Sequence, residues 1–359
     1  MEKINRLRER FHELGVDGMM IIHPWNRLYI SGFTGSNGVI LISETEAKLI
    51  TDYRYFEQAQ NQAENFDIVL HAGHTGHKGK IFEEVIVQAK EMNISKLGFE
   101  QEHLSYGLFK RNEPLFSAKL VPTYDVIEKL RMIKSKEEIQ KLRVAAEVTD
   151  KAYLHILNFI KAGISELDVA AELELFIKKN DCTNATFSPT VVSGYRSSMP
   201  HGRASDKIIE KGDMITIDFG ANYQGYWADI SRVVSIGEPA PELRKLHDIV
   251  LTSFENCVAN LRPGLTDQEV DFLMRENIIK HGFNEQSGTG TGHGIGLEVH
   301  EAPLFSVLKE KVLEENMVIT VEPGIYLKGL GGARVEDMIL ITENGREVLT
   351  PSTKELIIL

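Results

Sequence analysis

The sequence predicts an α+β protein in two parts: a smaller α/β N-terminal domain, and a larger C-terminal domain built from two related halves. Three observations carry that expectation. Short apolar runs alternate with helical patterns over residues 1–123, a strong helix start stands at Ser135, and the chain beyond it repeats itself at an offset of 101 to 104 residues. A chain of 359 residues, 42% hydrophobic and 26% charged, is long enough and apolar enough for two cores.

In chain order, MEKINRLRERFHELG reads as an amphipathic helix and not as a secretory leader. MMIIHP, LYISGF, GVILIS, AKLITD and KLGFE read as strands, while FEQAQNQAEN and IFEEVIVQAKEMN read as helices. Residues 124–134, YDVIEKLRMIK, read as a connector, so that the parts are 1–123, 124–134 and 135–359. Ser135 and Glu138 form a capping box, followed at helical spacing by Ile139, Leu142, Ala146, Tyr153, Ile156 and Ile160; Gly163 ends the helix.

The repeat is visible in AGISELDVAAELELFIKKND (Ala162–Asp181) against PGLTDQEVDFLMRENIIKHG (Pro263–Gly282). Each has a glycine, a Ser or Thr N-cap with an acid three residues later, then an apolar helix. ITIDFG (Ile215–Gly220) and ITVEPG (Ile319–Gly324) recur in the same order, which predicts two helix-then-hairpin halves in one domain.

Composition excludes several classes. No apolar run approaches the ~18 residues of a membrane span. A net charge of −12 argues against nucleic acid as a partner. Two cysteines, Cys182 and Cys257, make no disulfide framework and suit a reducing cytoplasm. The sequons at Asn93 and Asn184 are then accidental, and Lys309–Asn316 is a solvated charged run.

The hairpin ITIDFGANYQGYWAD carries Asp218 and Asp229. A turn centred on Tyr223-Gln224 sets the two directly opposite, with Cβ atoms about 5 Å apart on one face. The second hairpin supplies their counterparts, Glu322 and, across the turn KGLGG, Glu336. Four carboxylates converging in a core are not tolerated unpaired. Two divalent cations would neutralise them. Oxygen-dominated ligation suits Mn²⁺, with Co²⁺ or Zn²⁺ as alternatives.

Between the hairpins, SGTGTGHGIGLEVHE offers His293 and His300 as nitrogen ligands. It satisfies neither a dinucleotide fingerprint nor a P-loop, Leu304 and Pro303 rule out a zincin helix after His300-Glu301, and no G-x-S-x-G elbow occurs. By themselves His201 and His300 read as ordinary loop or core histidines, and Arg334 as a counter-charge for Glu336 and Asp337.

SSMPHG, ITIDFGANYQGYWADISR, GTGHGIGLEVHEAP, ITVEPGIY and GGARVEDMILIT together resemble the pita-bread metallopeptidase family. The N-terminal NRLYISGFTGSNG and TDYRYFEQA point to its Xaa-Pro branch, the proline dipeptidases and aminopeptidases P, over methionine aminopeptidase. The resemblance spans the chain. It implies a creatinase-like N-terminal domain and a pita-bread catalytic domain, metal ligands Asp218, Asp229, His293, Glu322 and Glu336, and bridging by Asp229 and Glu336. It also implies Glu322 as general base and acid, His201 and His300 as oxyanion or substrate contacts, and Arg334 as an anchor of substrate or ligand array. The expected substrates are short proline-containing peptides, with a dipeptidase favoured and an aminopeptidase P on longer peptides as the alternative. A homodimer is expected, and Asp52-Tyr53-Arg54-Tyr55 is expected to shape the N-terminal domain at a subunit contact. A metal-free binding protein or a creatinase-like hydrolase would lack this ligand set. Ser188-Pro189 departs from the family pattern and leaves one pocket wall open.

Overall fold

The first of two units, Met1–Arg131, is organised by a six-stranded sheet. The computed structural model describes residues 1–71, 78–182, 189–288, 290–305 and 311–359. Ser188 and Asn184 lie outside them. The strands are β1 (Gly18–Ile21), β2 (Val39–Ser43), β3 (Ala47–Thr51), β4 (Asp67–Leu70), β5 (Lys96–Glu100) and β6 (Lys119–Thr123), in the order β4-β3-β2-β1-β5-β6. β1 runs antiparallel to β2 and parallel to β5.

Two local expectations fail. LYISGF is not a strand but the end of a helix, Pro24–Ser31. Pro24 sits in its first turn, where no N–H is needed, and Gly32 closes it at φ 78°. A short apolar run has no period long enough to separate strand from helix. β4 and β6 were not expected; both are sheet edges with partly exposed side chains and no clean alternation. The connector contains a helix, Val126–Met132.

The second unit, Met132–Leu359, shows the repeat directly. The long helices Lys136–Ile156 and Pro241–Asn260 correspond, as do Glu166–Lys179 and Asp267–Lys280. Capping boxes start three of them, at Ser135/Glu138, Ser165/Asp168 and Thr266/Glu269. The first half contributes β7 (Thr190–Ser193), β8 (Met214–Phe219), the ribbon β9 (Asn222–Tyr223) and β10 (Tyr226–Trp227), and β11 (Ile230–Ser235). The second contributes β12 (His293–Gly294), β13 (Glu301–Leu304), β14 (Val318–Val321), the ribbon β15 (Gly324–Leu327) and β16 (Gly331–Arg334), β17 (Asp337–Thr342) and β18 (Gly345–Val348). With β19 (Ile357–Ile358) the two sheets order as β19-β11-β8-β7 and β13-β12-β14-β17-β18. The central pairs β8/β11 and β14/β17 are thus equivalent, each extended by a ribbon. Each half also buries its own core, with Val169, Leu173 and Ile177 over Ile215 and Ile217, and Val270, Met274 and Ile278 grouped with Ile319 and Val321. No helix among the described residues is long and apolar enough to cross a membrane.

A buried ion pair joins the halves. Arg232, 1% exposed, donates through Nη2 to Asp337 Oδ1 at 2.7 Å and through Nη1 to the Glu336 carbonyl, while Lys354 Nζ lies 2.7 Å from Asp337 Oδ2. Asp337→Ala strands a buried guanidinium and should destabilise the protein by about 3–5 kcal/mol in denaturant unfolding. A loss no larger than that of an exposed ion pair, about 1 kcal/mol or less, would show that the pair is not what couples the halves.

Candidate active site

The first hairpin turns one step later than its sequence suggests. Gln224 and Gly225 both have positive φ, 51° and 91°, so they form the two-residue turn, and the Asn222 side chain accepts the Gly225 N–H. Register follows: Tyr223 pairs with Tyr226, and Asp218 pairs with Ser231, not with Asp229. The shift is two residues, an even number, so both aspartates keep the same face. At Gly220 a Cβ would stand 1.6 Å from the Ala228 carbonyl oxygen. Only glycine fits that approach, which leaves Asp229 in the gap between ribbon and main ladder. The second hairpin has the expected register: Val321 pairs with Asp337 and Gly324 with Arg334, so Glu322 falls opposite Glu336.

His293 reaches the same place from the glycine-rich loop. Its N–H donates to Thr320 Oγ1 at 3.1 Å, and its ring Nδ1–H to the Gly294 carbonyl at 3.1 Å. Nε2 is left facing Glu322 Oε1 at 3.4 Å and Asp229 Oδ2 at 4.0 Å. The loop is held from below: Thr291 Oγ1 donates to buried Asp271 at 2.6 Å, and the Thr291 carbonyl accepts the Glu322 N–H at 2.9 Å.

The cavity is about 620 Å³ and is lined by Asp218, Asp229, His293, Glu322, Glu336, His201, His300 and Arg334, with Thr190, Arg203 and Val299. His300 packs edge-on against His293, ring centroids 4.3 Å apart. His201 is exposed at the wall. Arg334 is the buried cation of this lining, whereas Arg203 is exposed. Its Nη2 contacts Asp218, Nη1 donates to Tyr326 Oη at 2.7 Å and the Pro200 carbonyl at 3.0 Å, and Nε donates to Ser231 Oγ at 2.8 Å. Ser231 in turn donates to Glu336 Oε2 at 2.7 Å. All three nitrogens of the guanidinium are engaged with protein, so Arg334 braces the acids and is not poised for an incoming group. Tyr326, Ser231 and Arg203 were missed from the sequence; Tyr326 stands in the ITVEPGIY motif, but its link to Arg334 has no signal in the chain.

Burial pushes the carboxyl of Asp229 well above the usual range, and the charges of Glu336, Asp218 and Glu322 push it further. Glu336 is raised in the same way, by burial and then by Glu322 and Asp218. Glu322 is raised by burial against the pull of Arg334. Burial lowers the His293 imidazole to about 4, so it is neutral at pH 7.

The donor set fits divalent metal. Asp229 Oδ1 and Glu336 Oε1 are buried with no hydrogen-bond partner among the described residues. One ligand atom each from Asp229, His293 and Glu336 lies within 4.8 Å of the others. Buried acid oxygens without a partner, grouped with a neutral imidazole, are stabilised by a bound cation or, failing that, by protons.

Comparison with known proteins agrees. Residues 3–133 match the creatinase/prolidase N-terminal domain and residues 140–343 match metallopeptidase family M24. The chain is 38% identical over 360 residues to the Xaa-Pro dipeptidase of Pyrococcus furiosus, covering 99% of each protein. The solved structure of an Xaa-Pro dipeptidase from Bacillus anthracis is 48% identical with a TM-score of 0.96, covering 100% of this chain and 99% of that one. That of an X-Pro aminopeptidase from Thermotoga maritima MSB8 is 39% identical with a TM-score of 0.89, covering 98% and 100%. With matching fold, full-length identity and a site able to take metal, the chain belongs to metallopeptidase family M24, a metal-dependent peptidase with a creatinase-type N-terminal domain and a pita-bread catalytic domain.

Proposed function

We propose that the protein is an Xaa-Pro dipeptidase whose two divalent ions, Mn²⁺ by preference, are held by Asp218, Asp229, His293, Glu322 and Glu336. The carrying observation is the convergence of Asp229, His293 and Glu336 beneath a cavity walled by the other two acids. When bound, two such ions supply Lewis-acid polarisation of the scissile carbonyl and make water nucleophilic near neutral pH. Oxygen-rich ligation favours Mn²⁺ over softer metals.

Glu322 is the general base and acid. Its carboxylate takes a proton from the attacking water and returns it to the departing imide nitrogen, and its raised pKa suits both directions. His201 and His300 face the cavity, where they stabilise the developing oxyanion or orient the peptide. Arg334 holds Asp218 directly and Glu336 through Ser231. With Arg334 engaged, the free carboxylate of a dipeptide is met by His201 or Arg203 at the cavity wall.

Proline in second position has no N–H, so the pocket closes on the ring without satisfying a donor there. Ala-Pro should be cleaved much faster than Ala-Ala. Comparing Ala-Pro with Ala-Pro-Ala tests the dipeptidase reading: equal rates would replace it with an aminopeptidase P, the activity named for the Thermotoga relative. A homodimer in a reducing cytoplasm belongs to the same proposal; both cysteines are free and buried. Light scattering in solution tests the dimer.

The raised carboxyls give a pH signature. Asp229, Glu336 and Glu322 retain protons at a pH where ordinary carboxyls, with pKa about 4, have lost them. Metal must displace those protons, so Mn²⁺ binding on the acid side of neutrality should release protons and tighten as pH rises. His293, already neutral there, contributes none. Calorimetry in buffers of different ionisation heat measures the release. No release at any pH above the ordinary carboxyl range would mean that the acids are already ionised in the metal-free protein.

A further inference from the structure

We propose that His23, His103 and Glu128, in the first unit, form a second metal site, built for Zn²⁺ and separate from the carboxylate centre. One ligand atom from each lies within 4.8 Å of the other two.

The position is where an open α/β sheet takes ligands. β1 and β5 are adjacent and parallel. The chain leaves β1 for β2 on one side, and leaves β5 for β6 on the other. The carboxyl ends of such a strand pair open a crevice at the point where the connections diverge. His23 follows β1 by two residues, His103 follows β5 by three, and Glu128 comes from the helix Val126–Met132.

The surroundings orient the set. Asn26 Nδ2 donates to Glu128 Oε1 at 2.5 Å and to Glu100 Oε1 at 2.7 Å, while Arg131 Nη1 donates to Asn26 Oδ1 at 2.8 Å. Buried Glu100 also accepts the N–H groups of Ile22 and His23, at 2.7 and 2.8 Å, which fixes the backbone that carries His23. Burial, then the neighbouring His103 and Arg131, lower the His23 imidazole to about 4, leaving it neutral at pH 7 and so in the form that ligates metal.

The imidazoles of His23 and His103 are stacked, centroids 3.7 Å apart and planes 12° from parallel. Ring nitrogens ligate along the ring plane, so one ion cannot join both rings until one turns. His103 has the room: its side chain is 31% exposed, and Nε2 already stands 3.5 Å from Glu128 Oε1. Two imidazoles and one carboxylate, with a further position open to solvent, make a zinc-type ligand set, whereas Mn²⁺ and Mg²⁺ prefer the oxygen-rich centre. The ion would tie together three segments remote in sequence.

The test uses the full-length protein with Mn²⁺ in its carboxylate centre, dialysed to equilibrium against micromolar Zn²⁺. Total metal per chain should be one higher than in His103→Ala, whatever the carboxylate centre holds, and peptidase activity should be equal in both. Hydrogen exchange should show zinc-dependent protection around residues 22–27, 101–104 and 126–131 in the unsubstituted protein and none in the variant. His12→Ala, an exposed histidine elsewhere, should behave as the unsubstituted protein does. Equal metal counts would overturn the site. So would a difference without protection at those segments, which would mark adventitious surface binding.

Discussion

Removing divalent metal with a chelator should abolish peptidase activity, and adding Mn²⁺ or Co²⁺ should restore it. Asp229 Oδ1 and Glu336 Oε1 are buried and unpartnered, and the charges beside them push both carboxyls upward. In the stripped protein this cluster is relieved only by taking up protons, which leaves no Lewis acid and no activated water. Metal that binds the folded chain and not the unfolded one also stabilises by mass action, so the melting temperature should rise with metal concentration. Mg²⁺ should restore less than Mn²⁺, because the imidazole of His293 favours a transition metal. Full turnover in protein shown by elemental analysis to be metal-free would remove the two-metal reading.

Glu322→Gln should lower turnover by about 10²-fold or more while leaving the fold intact, which is the scale of lost general acid–base catalysis. The amide keeps the size of the side chain and its contact with Thr320 Oγ1, 3.4 Å away, but cannot take up and return a proton. Because Glu322 is also a proposed ligand, the assay needs saturating Mn²⁺, with binding followed by calorimetry. A variant that binds metal more weakly yet turns over normally at saturation would leave Glu322 as a ligand alone. Replacing Arg334 should act differently. Its loss frees Asp218 and Ser231 together, so metal affinity should fall along with turnover.

The sequence made the main elements of the candidate site legible because the chain says them twice. Two copies of a capped helix and a β-hairpin, each carrying acids, name Asp218, Asp229, Glu322 and Glu336 without a structure. Choosing His293 over His300 came from the family resemblance, since both stand in a glycine-rich loop with no period to place them. The first hairpin's register differs by two residues from the one its sequence suggests, because either Tyr223-Gln224 or Gln224-Gly225 can form the turn; the left-handed backbone demanded at both central positions selects the pair that ends in glycine. LYISGF is too short an apolar run to distinguish helix from strand, and β4 and β6, edge strands with partly exposed side chains, carry too little alternation to mark them in the sequence.

The sequence by itself determined the kind of protein this is: an α+β chain with an internally repeated domain, an acid-rich centre and a single family signature running its length. Those are properties of composition, spacing and local propensity, which act between residues close in the chain. The tertiary structure decided which acid oxygens are left unpartnered, that Arg334 is consumed in bracing Asp218 and Ser231, and that His23, His103 and Glu128 meet beyond the carboxyl ends of β1 and β5. Each of those facts depends on burial and on contacts between residues far apart in the chain, by more than 100 positions for Arg334 with Asp218 and with Ser231. Desolvation and long-range packing set them, and neither is written in any short stretch of sequence.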